Sequence, residues 1–421
     1  MTSQVVRVPQ LAWHGPRALE LWFPAGWEVK VYQMMGADRP ALGTEEIGAA
    51  IGRPIAGRRL KELARRKKEV VILFDDLTRV TRAYEIVPFL LRELAEAGVP
   101  EEGIRFIAAL GCHGALNRLD LAKKLGAEVV ERFPVFNHNP FANCLEVGRT
   151  GSGLRLEVNA EVMACELKIG ISAVTPHIMT GFGGGGKIIL PGVTSLGTTA
   201  AFHRLEKPAP GGREARWMGL VEGNPLPEEL TAAGRLAGLD FKVECLVNAW
   251  GQTTDVFAGD PPAAYAAAVA AAKHHYLTPG GADKDRDVVV ANTFAKASEA
   301  IAGLCTAYQA VKRDGGTVVL IANAPEGQVV HYLMGPFGRT VAGELKLEAG
   351  IPPYVRQLIV FSAYPDPAAR GYFAADERLL FLHRWEEVLA VLESSYGPGT
   401  RVGIFPGAEI QYSLDSERSL V

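Results

Sequence analysis

Three polar clusters in this sequence have residue types that could do chemistry. The first, Asp75-Asp76-Leu77-Thr78-Arg79, brings two carboxylates, a hydroxyl and a guanidinium into five residues. Asp and Thr there could simply accept backbone N–H bonds at a helix start, with Arg79 in solvent. The set exceeds what a cap needs, and Arg79 could grip a carboxylate or phosphate through a two-pronged pair of hydrogen bonds. The second, Gly111-Cys112-His113-Gly114, sets an imidazole that titrates near neutral pH between glycines that let the backbone pass close to a ligand. A lone loop histidine can equally be surface decoration. The third runs from Pro176-His177 to Gly192 and holds Gly183, Gly184, Gly185 and Gly186, followed by Lys187.

The glycine cluster satisfies two nucleotide-binding patterns, neither of them convincingly. Gly181, Gly183 and Gly186 fit GxGxxG, and Gly181 to Lys187 fits GxxxxGK. Ile188 stands where a phosphate loop needs Ser or Thr for magnesium, and Pro191-Gly192 breaks any helix that would open there. The exposed backbone N–H groups could still cradle an anion. Lys187, between glycines and Ile188-Ile189-Leu190, reads as a phosphate contact or a covalent attachment point. His203, in AAFHRL, reads on its own as a partly buried surface histidine.

These residues need elements to position them. Short β-branched runs alternate with amphipathic helical spacing, the pattern of α/β layering on mostly parallel strands. Residues 70–74 (VVILF) suit a strand buried on both faces, and the first cluster follows directly. Ile86, Val87, Leu90, Leu91, Leu94 and Ala97 then predict a helix over 84–97, stopped by Gly98. The second cluster lies between a strand at 104–110 and a helix around 119–125. The third follows a strand at 167–174, and His203 falls on a helix predicted over 195–205. Further helices are predicted over 227–239 and 263–276. The segment TPGGADKDRD at 278–287 reads as a domain boundary. Beyond it, strands at 288–291, 317–322, 358–361, 379–382 and 402–405 and helices at 298–312 and 385–392 restart the pattern. The expected fold is α/β, with two α/β domains at 1–278 and 279–421 and mostly parallel sheets. Ligands of such proteins favour the interdomain cleft and the carboxyl ends of strands.

Composition narrows the function classes. The 44 Lys+Arg residues against 47 Asp+Glu give a net charge of -3, so no basic footprint for nucleic acid or a polybasic membrane patch is expected. No apolar stretch approaches the roughly 20 residues that span a bilayer. The N-terminus lacks a signal-peptide pattern, and the expectation is a cytoplasmic chain. The five cysteines are spread without a CxxC pair, which argues against a disulfide framework or structural zinc. The 46 glycines are an excess concentrated beside Lys187, which marks that segment for attention.

Taken in order, DDLTR (75–79), ALGCH (109–113), NHN (137–139), PHIMTGFGGGGK (176–187), LPG (190–192) and FHR (202–204) resemble the nickel-pincer lactate racemase family. The resemblance covers most of the chain and is densest from residue 60 to 204. It implies nickel and a pyridinium-3,5-bisthiocarboxylic acid mononucleotide, the nickel-pincer nucleotide, tethered through a thioamide to Lys187. The implied nickel ligand is His203, and the implied acid/base pair is His113 and His177. Asp76, Thr78 and Gly183–Gly186 would contact the cofactor, while Arg79 and, from the second domain, Lys296 would serve the substrate. The first domain would then bind cofactor and the second close over the substrate. The implied activity is an isomerase that inverts the C2 centre of a 2-hydroxy acid by removing and returning hydride. Cofactor-synthesis enzymes are implied as partners, and the oligomeric state stays open.

Departures from the family pattern lie on the substrate side. Gly114 follows the first histidine where Arg is usual, Val80 and Arg82 replace prolines, and Asn139 ends what is commonly NHD. They point to a 2-hydroxy acid other than lactate. Two other readings compete: a zinc-type hydrolase on His113, His177 and His203, and a nucleotide-binding homologue without turnover.

Overall fold

A computed structural model of the chain describes residues 4–206, 217–280, 283–341 and 348–413. It divides into two units, Met1–Asp38 with His275–Val421, and Arg39–His274. The sequence boundary at 278/279 leaves the first 38 residues with the cofactor-binding part. In the structure a strand from that segment pairs within the sheet of the C-terminal part, which groups them there.

The chain opens in the first unit with the antiparallel hairpin β1 (Gln4–Gln10) and β2 (Arg17–Phe23), then β3 (Glu28–Val31). In the second unit α1 (Thr44–Gly52) and α2 (Leu60–Leu63) precede β4 (Val70–Phe74), α3 (Ala83–Glu96) and β5 (Ile104–Ala108). Next come α4 (Arg118–Leu125), α5 (Ala127–Arg132), β6 (Val135–Asn137) and the antiparallel pair β7 (Cys144–Arg149) and β8 (Arg155–Asn159). After α6 (Ala160–Ala164) and β9 (Leu167–Ala173), two short paired strands, β10 (Pro176–His177) and β11 (Gly181–Phe182), precede the glycine run. Then follow α7 (Leu196–His203), α8 (Leu226–Ala237), β12 (Phe241–Val247), β13 (Thr253–Gly259) and α9 (Pro261–His275).

The sheet of this unit has the order β13-β12-β9-β4-β5-β6, parallel except for β12 against β13. The two-residue side-chain alternation of a strand explains why VVILF carries no polar position. Val70, Ile72 and Phe74 pack on one face with Ile86, Leu90 and Leu94 of α3. Val71 and Leu73 pack on the other with Ile188, Ile189, Leu190 and Leu230.

The first unit resumes with β14 (Val288–Asn292), α10 (Leu304–Ala310), β15 (Gly316–Ile321), α11 (Gly335–Val341), β16 (Val355–Phe361), β17 (Leu379–Leu382), α12 (Trp385–Glu393) and β18 (Arg401–Phe405). Its sheet, β17-β16-β15-β14-β18-β3, is parallel throughout. The helix predicted over 298–312 is instead a 3-10 stretch, Ala297–Gly303, broken at Glu299 and followed by α10. The cause is competition for its backbone. Gln328 bonds the Ala300 N–H and the Ala297 carbonyl, and the Val329 N–H bonds the Ser298 carbonyl, so these groups have alternative partners to the helix.

His138, the centre of NHN, is a tie within the second unit. Its Nε2–H donates to the Thr194 carbonyl (2.9 Å) and its Nδ1 accepts from the Asn159 amide (3.1 Å). Both ring nitrogens are thus satisfied in the neutral form. Burial pushes its pKa down to about 4, outweighing the pull of the Thr194 bond. The unfolded chain therefore takes up this proton first, and the contribution is intact above about pH 6.5. Falling pH from 6.5 toward 4 should remove on the order of 3 kcal/mol through this group. Urea unfolding across that range should show the slope, and His138→Gln should flatten it; an unchanged slope would place the titration elsewhere.

Candidate active site

The three polar clusters follow β4, β5 and β9, which are neighbours in the order β9-β4-β5. Parallel strands place their carboxyl ends on one edge, so the clusters converge there. Backbone bonds knit them: Ala109 N–H to the Phe74 carbonyl (2.8 Å), and Gly111 N–H to the Gly192 carbonyl (2.8 Å).

Asp76 and His113 form a pair, with Asp76 Oδ2 2.6 Å from His113 Nδ1. The other carboxylate oxygen accepts from the Thr78 N–H (3.0 Å) and from the Thr78 hydroxyl. Arg79 donates to the Thr78 hydroxyl (2.8 Å) and carbonyl (2.9 Å). Burial alone would raise the Asp76 carboxyl, but His113, Arg79 and Thr78 together hold it below its usual range. An ionised Asp76 draws the ring proton to His113 Nδ1 and leaves Nε2 as the basic atom, the arrangement of an oriented general base.

Lys187 and His177 form the second pair, Nζ to Nε2 at 2.7 Å. His177 Nδ1 accepts from the N–H groups of Met179 (3.2 Å) and Thr180 (3.3 Å). Which of the two nitrogens donates in the 2.7 Å bond to Lys187 is set by the ring tautomer. Lys187 lies in a 3-10 turn, Gly185–Ile188, directly after the glycines. Those glycines are packed against the protein's own atoms. A Cβ on Gly184, Gly185 or Gly186 would meet Glu244, the Tyr265 ring or the Leu230 carbonyl, respectively. Internal contact therefore accounts for three of the four.

His203 ends α7, which Ser195 caps by accepting from the Thr198 N–H (3.1 Å). Its Nδ1–H donates to the Thr199 carbonyl at 2.7 Å, one helical turn back. Burial pushes its pKa down to about 4, and the charges of Lys187 and His113 push the same way. The imidazole is thus neutral at ordinary pH, with its Nε2 lone pair uncommitted by the Thr199 bond. That is the state a metal ligand needs.

Lys296 stands in the first unit, after β14. It is buried, and its ammonium faces the Glu409 carbonyl at 3.5 Å. The Glu409 carboxylate accepts from three successive N–H groups, Phe294 (2.9 Å), Ala295 (2.6 Å) and Lys296 (3.3 Å). The site residues Arg79, Asp76, Thr78, His113, His177, Lys187 and His203 all belong to the second unit.

Residues 14–211 match the lactate racemase N-terminal domain family, a stretch that contains all seven. Two curated relatives add to this. The lactate racemase of Lactiplantibacillus plantarum is 28% identical over 67% of this chain and 66% of its own length. That of Thermoanaerobacterium thermosaccharolyticum is 27% identical over 66% of this chain and 65% of its own length. Over this stretch the chain is similar to the lactate racemase family. The matched segment spans just under two thirds of those relatives. Likeness of fold covers nearly the whole chain: the lactate racemase apoprotein of T. thermosaccharolyticum superposes with a TM-score of 0.72 at 20% identity, over 98% of this chain and 100% of that one. A protein from Thermotoga maritima gives 0.64 at 19% identity, over 89% of this chain and 99% of that one.

Sequence reasoning passed over Lys124. This α4 side chain is fully buried, with its ammonium 2.8 Å from Asp75 Oδ1 and 2.7 Å from the Arg79 carbonyl. Asp75 Oδ2 accepts from the Thr81 hydroxyl (2.5 Å) and the Ala173 N–H (3.3 Å). Lys124 thereby clamps both ends of the turn that carries Asp76. The available signal was its helical spacing beside Leu121 and Leu125, on the buried face. Lys124→Met should strand the Asp75 charge and cost about 3–5 kcal/mol in urea unfolding. Adding Asp75→Asn should recover most of that; no recovery would show that the pair is not the source of the loss.

Proposed function

We propose that this chain is a racemase or epimerase acting at C2 of a 2-hydroxy acid. The observation that carries the reading is that two imidazoles with different partners, His113 on Asp76 and His177 on Lys187, follow β5 and β9 at the carboxyl edge of one sheet. Inverting a carbinol centre requires a base for the hydroxyl proton of either enantiomer, and two imidazoles meet that need near neutral pH. The names of the relatives, lactate racemase, support the class of reaction and of substrate.

The donor set fits a nickel-pincer nucleotide. Lys187 offers an amine for the tether, and His203, neutral and with Nδ1 held by Thr199, offers one imidazole nitrogen of the kind nickel(II) accepts. Asp76, Thr78 and the Gly183–Gly186 backbone are the proposed neighbours of the bound group. When bound, the group would supply an acceptor for the C2 hydride. The chain's own residues supply the proton chemistry. His113 Nε2 takes or returns the hydroxyl proton while Asp76 holds the ring and balances its charge. His177 is the base for the opposite enantiomer through Nε2, the nitrogen that faces Lys187, with backbone N–H groups rather than a carboxylate at Nδ1. Arg79 binds the substrate carboxylate. Gly114, Val80, Arg82 and Asn139, departing from the family pattern, favour an acid other than lactate.

Producing the full chain together with cofactor-synthesis enzymes tests this. The expected product carries about one nickel per chain and a mass adduct on Lys187. Chiral analysis of a 2-hydroxy-acid panel should then show inversion. Lys187→Ala should lose the adduct, and an adduct that persists would move the tether to another residue. Asp76→Asn should lower kcat by on the order of 10²–10⁴-fold while the adduct is retained. A loaded protein inert toward every 2-hydroxy acid would overturn the reading.

A further inference from the structure

Beneath the glycine run lies a charged network that the proposed chemistry does not use. Lys242 and Glu244 are both fully buried on β12, two residues apart and so on the same face of the sheet. Ser172 sits on the neighbouring strand β9, paired with Glu244 in register. The Lys242 ammonium donates to the Ser172 hydroxyl (2.6 Å) and lies 2.9 Å from Glu244 Oε2. It also donates to the Val243 carbonyl at 3.2 Å. The Ser172 hydroxyl donates to the same Glu244 oxygen at 2.8 Å, which closes a triangle. The remaining carboxylate oxygen, Oε1, accepts from the N–H of Gly185.

That last bond leads to Lys187, two residues further along. Two glycines make room for the network. A Cβ on Gly170 would stand 3.0 Å from the Lys242 side chain and from Ile188, and one on Gly184 would stand 2.9 Å from Glu244 Oε2. The Tyr265 hydroxyl holds the Phe182 carbonyl from α9 at 3.3 Å, so the run is held just before its start as well as at Gly185.

Taking two charges out of water is costly, and well-packed apolar residues in place of a buried ion pair often leave a fold as stable or more so. Stability alone therefore does not call for Lys242 and Glu244. An apolar pair could not supply an acceptor for the Gly185 N–H, which is buried beneath the loop. Lys242 and Ser172 hold the Glu244 carboxylate in the one orientation that does.

We propose that the Lys242–Glu244–Ser172 network positions Lys187: Glu244 fixes the Gly185 amide and with it the path that presents the Lys187 amine to His177. The inference rests on Lys187 being the tether, but its test does not need the cofactor. Three variants of the full-length apoprotein separate the acceptor from the charge. Lys242→Met with Glu244→Gln removes both charges and keeps an acceptor for Gly185. Lys242→Met with Glu244→Leu removes the acceptor as well. Glu244→Asp keeps the charge pair but draws the carboxylate back from Gly185, and serves where the leucine variant fails to fold.

Two readouts apply to each: amide hydrogen exchange over residues 183–189, and acetic anhydride labelling of Lys187 relative to exposed Lys68 by mass spectrometry. The leucine and aspartate variants should exchange at least about tenfold faster in that segment and shift the labelling ratio at least about threefold. The glutamine variant should stay within about twofold of the parent in both. Unchanged exchange and labelling in the leucine and aspartate variants would overturn the proposal. So would equal changes in the glutamine variant. A missing Lys187 adduct in loaded protein would instead refute the tether and leave these measurements standing.

Discussion

A carboxylate withdrawn from water must have its lone pairs answered, and the second unit is organised around answering three of them. Asp75, Asp76 and Glu244 are all buried near the carboxyl edge of one sheet. Each is met by a different element: Asp75 by Lys124 of α4, Asp76 by His113 after β5, Glu244 by Lys242 of the same strand. Each also reaches a backbone N–H beyond its ionic partner, at Ala173, Thr78 and Gly185. The negative charges therefore act as fasteners between turns that strand pairing alone would leave independent. Low dielectric makes such bonds strong when complete and expensive when one is missing.

Division of labour follows from this. Among the three, Asp76 alone is bonded to a residue with proposed acid/base work. Asp75 and Glu244 hold backbone, the first at the turn that carries Asp76 and Arg79, the second at the turn that carries Lys187. The histidines divide in the same manner. His138 has both nitrogens committed inside the fold, whereas His203 has Nδ1 committed to its own helix. Commitment of ring nitrogens distinguishes a structural histidine from a candidate ligand.

The apolar strands and their turns were legible in the sequence, because period and polarity agree there. VVILF at 70–74 and the helix after it fall within a residue of where the structure has them. The segment FKVECLV at 241–247 was passed over because Lys242 and Glu244 interrupt the apolar run of a buried strand. Those charges are paired with each other across one face, a tertiary fact that no local window contains. Lys124 escaped for the same reason. The hairpin β1–β2 also went unread, as did strand β3, whose partner β18 lies some 370 residues away. In the glycine run, the sequence suggested room for something, and much of that room is filled by the fold's own atoms. The contact of His177 with Lys187 came from the structure, as did the orientation of each ring.

The glycine run has a consequence for how this chain can change. Gly184, Gly185 and Gly186 lie against Glu244 of β12, Tyr265 of α9 and the Leu230 carbonyl of α8. A side chain gained at any of the three must be matched by an alteration in another segment, for Gly184 at Val174 as well as at Glu244. For Gly186 the obstacle is a backbone carbonyl, which no single replacement removes. Single-step mutational paths at these three positions are therefore closed, and they can drift only together with their supports.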